Sequence, residues 1–353
     1  MIRTGTGNIL EAQAEALVNT VNCVGVMGKG LALQYKRAWP AMFKAYRQAA
    51  KAGEVVPGCM HVYETGDLVG PRLIINFPTK RHWRQPSRME DVEAGLVDLA
   101  RVLRERGVCS VAIPPLGAGL GGLPWPEVRR CIVDALAPLE DVDVLLWEPG
   151  GAPPADQHVV RTERPTMTST RATVLALMDQ YRVMDHEITH LEVQKLAYFM
   201  ERAGAGLDLR FQAERYGPYS DRLYHLLMPL EGHFIRGLAD RRPMAPLRVL
   251  PDALDEARRL LAEDAGTRAL FERVAALVAG FETPYGLELL ATLHWLAQED
   301  PDAAEDVERA IARVQAWSPR KAYTLKPEHL RVAWDQLRAE GWMPEPARRV
   351  AAG

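Results

Sequence analysis

The chain has 353 residues, with 43 Lys and Arg against 46 Asp and Glu and a formal net charge of −3; this excludes a whole-molecule positive field for nucleic acid and leaves such contact to a local basic patch. That length allows two domains, each able to bury a core without disulfides or metal. Four cysteines without C-x-x-C spacing (Cys23, Cys59, Cys109 and Cys131) exclude a zinc ribbon and read as reduced core thiols, and with no leader or long apolar run the chain reads as soluble and cytoplasmic.

Residues 16–22 form the first clear strand and residues 31–52 a helix with apolar side chains every three to four positions. Strands at 60–64 and 73–77 follow. A helix is expected over 88–106, started by a capping box of Ser87 and Glu90. A strand at 110–113, a helix at 125–136 and a strand at 142–147 complete an alternating pattern. Such alternation predicts an α/β domain over residues 1–150, with helices on both sheet faces. The run Pro149-Gly150-Gly151-Ala152-Pro153-Pro154 opens a linker, residues 151–169, with turn chemistry and no periodicity. From Thr170 to residue 353 the chain reads as a second, mainly α-helical domain, with one β-like segment at 210–216 and a turn at Gly217-Pro218.

Two glycine-rich loops stand between strand-like and helix-like runs. The first carries Asn22, Gly25, Gly28, Lys29, Gly30 and Leu31; the second carries Gly117, Ala118, Gly119, Leu120, Gly121 and Gly122. Glycines let backbone N–H groups approach an anion, and the following helix adds the positive end of its dipole. Two such loops suggest a diphosphate held between them. The second loop satisfies G-x-G-x-x-G, so a dinucleotide fingerprint and a structural glycine turn both have to be weighed. Against the fingerprint, Pro114 and Pro115 stiffen the approach, and the ribose-binding acid would have to be Asp141 or Glu148. Gly28-Lys29 is followed by glycine, which excludes a Walker A loop.

Between the loops, Lys80, Arg81, His82, Trp83 and Arg84 concentrate cations around an aromatic ring. Phosphate attraction and base stacking are what a single strand of nucleic acid requires. Lys80, at the end of a strand, would be partly desolvated and useful as an acid, base or nucleophile. His186-Glu187-Ile188-Thr189-His190 matches a zinc-protease signature, but Thr189 and Glu192 form a capping box that starts the helix after Glu187, so no metal site is expected. In the second domain, Gln194 to Phe199 and Glu214 to Asp221 place aromatics beside charges without a nucleophile–base pair.

Through Gly7-Asn8-Ile9-Leu10, the 18–32 stretch and the 114–125 loop, residues 1–148 resemble a macrodomain, the ADP-ribose-binding three-layer α/β/α fold with a mixed sheet. The runs Asn22 to Gly30 and Asn76 to Lys80 resemble the branch that includes the terminal ADP-ribose protein glycohydrolase and the antitoxins of DarT–DarG systems. The resemblance implies removal of ADP-ribose from thymidine bases in single-stranded DNA. It implies a diphosphate between Gly28, Lys29, Gly30 and Leu31 and Gly117, Ala118, Gly119, Leu120 and Gly121. It implies adenine contact at Asn8 and Ile9, the distal ribose near Asn22, and a catalytic Lys80 aided by His82. Arg81, Trp83 and Arg84 would meet DNA. Asn8 stands where many macrodomains carry Asp, and its amide oxygen serves the adenine amine equally. Gly121 stands where the protein-directed enzyme has a resolving Asp, so Lys80 is expected to work without a long-lived adduct. The C-terminal part resembles SocA-type antitoxin domains, implying contact with a DarT-type toxin. No cofactor is expected. An ADP-ribose reader without catalysis, or a hydrolase of ADP-ribosylated protein, remain as alternatives.

Overall fold

Alternate residues of the central strands supply two separate cores. In the computed structural model, which describes residues 1–67, 70–150, 153, 158–181, 188–238, 246–262 and 264–344, the first such strand, β2, spans Ala16–Asn22. Ala16 and Val18 join one core with Leu73, Ile75, Phe77, Val111 and Ile113. Leu17, Val21, Ile74 and Ala112 join the other. That is the two-residue period of a sheet buried on both faces. The sheet comprises β1 (Ile2–Thr4), β2, β3 (His61–Glu64), β4 (Leu73–Lys80), β5 (Ser110–Ile113) and β6 (Asp143–Leu146), in the order β1-β6-β5-β2-β4-β3. All neighbours pair in parallel except β3, which is antiparallel to β4. Helices α1 (Gly30–Ala38) and α2 (Pro40–Lys51) cover one face; α3 (Met89–Glu105) and α4 (Trp125–Leu136) cover the other. The first unit is therefore a three-layer α/β/α fold with a mixed sheet.

Four local expectations require correction. The helix expected over 31–52 is two helices, because Pro40 has no N–H to continue α1 and instead opens α2. Strand β4 does not stop before Pro78; Pro78 pairs with Val21 and the register then jumps so that Asn22 faces Lys80. The bulge accommodates a proline inside a central strand and re-aims Lys80. Ser87 does not cap α3: Arg88 holds the cap position, and the Ser87 N–H donates to Gly121 O at 3.0 Å. Finally, Cys59 and Cys109 are exposed and Cys23 and Cys131 half-buried, all free, because each sits in a loop or on an outer helix face and not inside a core.

The chain divides into two compact units, Met1–Glu163 and Arg164–Gly353. Gly151, Ala152 and residues 154–157 of the expected linker lie outside the described residues. Arg161, also in that segment, is fastened to the first unit: its N–H donates to Arg37 O at 2.9 Å and its guanidinium pairs with Asp67.

The second unit has one core. Helices α5 (Ser169–Gln180), α6 (His190–Arg202) and α7 (Asp221–Leu227) are followed by α8 (Pro251–Leu261), α9 (Ala265–Val278), α10 (Pro284–Glu299), α11 (Pro301–Glu305), α12 (Val307–Trp317), α13 (Pro319–Thr324) and α14 (Pro327–Ala339). A short hairpin, β7 (Gln212–Glu214) with β8 (Gly217–Tyr219), and an antiparallel pair, β9 (Ile235–Arg236) with β10 (Arg248–Val249), complete it. The turn of the first hairpin is Arg215-Tyr216, so Gly217-Pro218 lies in a strand and not in the turn. From His190 to Met200 every side chain of α6 is buried, as is every one of α10 from Gly286 to Ala297; both are core helices surrounded on all sides. No helix among the described residues is long and apolar enough to cross a membrane.

Candidate active site

Because β1, β6, β5, β2 and β4 are all parallel, the segments that follow them leave the same edge of the sheet. That edge is where open α/β sheets bind ligands. It gathers Gly7 to Ile9 after β1, Trp147 after β6, the second glycine loop after β5, the first after β2, and the Lys80 to Arg84 segment at the end of β4. Asp141 lies before β6, at the opposite edge, which removes it as the acid of a dinucleotide fingerprint.

The two glycine loops approach one another. A Cβ added to Gly30, whose φ is +56°, would lie 3.3 Å from Cδ1 of Leu120. No acceptor among the described residues takes the N–H groups of Gly28, Lys29, Gly30 and Leu31 or of Gly119, Leu120 and Gly121. Helix α1 also begins at Lys29 without a side-chain cap, so its first-turn donors and positive dipole end face the loop. Gly121 is required sterically: a Cβ there would sit 2.2 Å from both Gly117 O and Ser87 Oγ. Ser87, whose N–H also donates to Gly121 O, thus fastens the loop at this glycine.

Lys80 bridges these parts. Its Nζ donates to Leu120 O at 2.6 Å, and burial pulls its pKa below the usual lysine range. Asn22 stands opposite it in register. The Asn22 side chain is turned into its own loop: Nδ2 donates to Val26 O at 2.5 Å, while Oδ1 accepts from Val24 N at 3.1 Å and Val26 N at 3.3 Å. Asn22 therefore shapes the first loop with its amide. Asn8 caps the short turn Ile9–Glu11, its Oδ1 accepting from Leu10 N at 3.1 Å. The Ile9 side chain is buried in the core, which leaves its backbone to meet a ligand.

Arg81 grips buried Asp91 of α3 with two hydrogen bonds of 3.2 and 3.0 Å, so it braces the loop and is not a loose cation. His82, Trp83 and Arg84 form an outward stack. His82 lies on Trp83 at 5.4 Å, Arg84 lies over the same ring at 4.5 Å, and Trp83 is 46% exposed. Burial raises the thiol pKa of Cys23, with Asp91 adding to this and Arg81 opposing, which disfavours its thiolate. His186 and Glu187 lie outside the described residues, and among the described residues no group of three or more His, Cys, Asp or Glu could hold a metal. Thr189 and Glu192 form the expected capping box.

Residues 18–132 match the family described as Macro domain. The DNA ADP-ribosyl glycohydrolase of Thermus aquaticus is 49% identical over 357 residues, covering 99% of this chain and 98% of that protein. The chain belongs to the DNA ADP-ribosyl glycohydrolase family. Its relative of the same name from Mycobacterium tuberculosis is 46% identical over 96% of this chain and 99% of that one. A Thermosipho africanus protein described as a DNA ADP-ribosyl transferase–DNA ADP-ribosyl glycohydrolase fusion is 33% identical over 38% of each chain.

Sequence reasoning missed several supports of this glycohydrolase-family site. Asp91 and Ser87 act across a loop, and neither carries a local pattern that announces its partner. Trp147 Nε1 donates to Gly7 O at 2.8 Å and so holds the turn that carries Asn8. Tyr46 of α2 donates its hydroxyl to Asn22 O. Neither aromatic belongs to a local sequence pattern that would mark this role.

Proposed function

We propose that this chain hydrolyses the N-glycosidic bond between ADP-ribose and thymidine bases of single-stranded DNA. The observation that carries the reading is Lys80. It is a half-buried lysine aimed between two loops whose amides are unused, with an exposed aromatic–cation stack two residues away. The diphosphate fits the amides of Gly28, Lys29, Gly30 and Leu31 and of Gly119, Leu120 and Gly121, which stabilise it without mobile side chains. Adenine then lies toward Asn8 and Ile9, and the distal ribose toward the Asn22 loop.

In this reading the bond from the anomeric carbon to the base nitrogen breaks with oxocarbenium character at that carbon. Water adds its hydroxyl to the carbon, and its proton goes to the thymine that leaves. The Lys80 ammonium counters the charge growing on the thymine oxygen, and a lowered pKa eases its service as a proton donor. His82 shares a hydrogen bond with Arg84 N through Nδ1 at 3.3 Å, and its other nitrogen is available to assist. Trp83 and Arg84 hold the neighbouring nucleotide by stacking and charge.

The second unit, in this reading, serves as a protein-binding module for a DarT-type ADP-ribosyltransferase, the activity that is joined to a glycohydrolase in the Thermosipho relative matched over 38% of this chain. Two comparisons test the proposal. Release of ADP-ribose from a modified oligonucleotide should far exceed release from a modified peptide; the reverse order would assign a protein substrate. The full chain carrying Lys80→Ala should still slow thymidine modification by the transferase, whereas an unchanged rate would remove the binding role.

A further inference from the structure

The peptide unit between Asn22 and Cys23 is held from both sides. Its carbonyl accepts the Tyr46 hydroxyl, and its N–H donates to Lys80 O at 3.0 Å. Tyr46 also reaches Asn22 Oδ1 at 3.3 Å. One buried hydroxyl on α2 therefore fixes the end of β2, the amide that shapes the first loop, and through a single peptide the backbone of Lys80. This happens at the last pair of the ladder, Asn22 with Lys80, just past the register shift between Val21 and Asn22. The hydroxyl is fully buried and its pKa is pushed well above the ordinary tyrosine value, first by burial, so it remains a donor throughout the working pH range. Its ring is itself seated, edge-on to His61 at 6.2 Å, and His61 contacts Asn76 at 3.1 Å through Nδ1.

We infer that Tyr46 is a positioning residue for the glycohydrolase reaction, setting Lys80 against the bond to be broken through the Asn22–Cys23 peptide. The inference rests on the proposed activity. It is separable from a plain structural role because the fold contains a matched control. Tyr35 of α1 is equally buried and donates its hydroxyl to a β2 carbonyl too, Val18 O at 3.1 Å, but in mid-strand, away from the site.

The test measures ADP-ribose release from modified single-stranded DNA, the Kd for free ADP-ribose and the thermal midpoint for wild type, Tyr46→Phe and Tyr35→Phe. Both variants should lose similar stability. Only Tyr46→Phe should lose kcat, by about 10-fold, and this loss should exceed any weakening of the ADP-ribose Kd that comes from loosening the first loop. Cys23→Pro deletes the N–H that reaches Lys80 while leaving Tyr46 in place, and should show the same selective loss of kcat. This variant stands in if Tyr46→Phe fails to fold. Equal kcat in wild type and Tyr46→Phe, or equal losses in the two tyrosine variants, overturns the inference. A wild type that releases nothing overturns the activity itself and this inference with it.

Discussion

Burial lowers the pKa of Lys80 and Lys36 in the first unit and of Lys195 and Lys321 in the second, yet Lys80 and Lys195 show how differently such lysines can be arranged. Lys80 stands half-buried at a strand end, holding one carbonyl of a glycine loop and facing unused amides. Lys195, in α6, is 1% exposed and donates to Pro218 O at 2.7 Å. Burial brings its pKa down to about 7, with Lys321 and Arg320 pushing the same way and Glu288 opposing. Glu288 is claimed by others: Arg320 binds it with two hydrogen bonds of 2.7 and 3.0 Å, and Lys321 with one of 2.8 Å. A perturbed pKa thus marks a functional lysine only where substrate can reach it. Lys195 and its neighbours tie α6, α10, α13 and the β7–β8 hairpin together, which is work for a scaffold.

Three changes would break or sharpen that contrast. The largest effect is expected from Gly121→Ala, where the new methyl collides with the Gly117 carbonyl and Ser87. Moving the loop should weaken ADP-ribose binding about 10- to 100-fold by titration calorimetry. Unchanged affinity would mean that this loop does not hold the ligand. Trp83→Ala comes next: loss of a stacking platform worth about 1–3 kcal/mol should raise KM for modified DNA about 10-fold and leave free ADP-ribose affinity unchanged. A parallel loss of both would move Trp83 from the DNA path into the ADP-ribose pocket.

The smallest effect on the site is expected at Lys195. Below about pH 7 it is protonated in both the folded and the unfolded chain, so the cost of burying the charge is fully present. Between about pH 7 and its ordinary value of 10.5 the unfolded chain binds the extra proton, and stability rises with pH. Hydrogen-exchange protection of α6 and α10 should increase from pH 7 to pH 9 beyond the intrinsic rate change, by up to about 2 kcal/mol. Lys195→Met should flatten that increase without altering ADP-ribose release. Loss of release in this variant would contradict the division of labour between the two lysines.

Local patterns carried much of the first unit. The strands Ala16–Asn22 and Ser110–Ile113 and the helix Trp125–Leu136 stand where their periodicity puts them. Pro40 and Pro78 mark the limits of such reading: one divides a helix whose apolar rhythm continues through it, and the other stays inside a strand because a bulge absorbs it. Likewise, Ser87 matched a capping box in sequence, but tertiary contact with the Gly121 loop claimed it first. The glycine loops and Lys80 were visible because their residue types are constrained by chemistry. Tyr46, Asp91 and Trp147 were not, since each supports the site through hydrogen bonds to a residue distant in sequence, which no local pattern announces.

The central claim is most directly tested by following free ADP-ribose from a single-stranded oligonucleotide carrying ADP-ribosylated thymidine, with wild type and Lys80→Ala side by side. Wild type should release it, and the variant should be about 100- to 10,000-fold slower while still binding ADP-ribose. Full turnover by Lys80→Ala would remove the lysine from the mechanism, and no release by wild type with ADP-ribose still bound would make the first unit a reader of the modification and not its eraser.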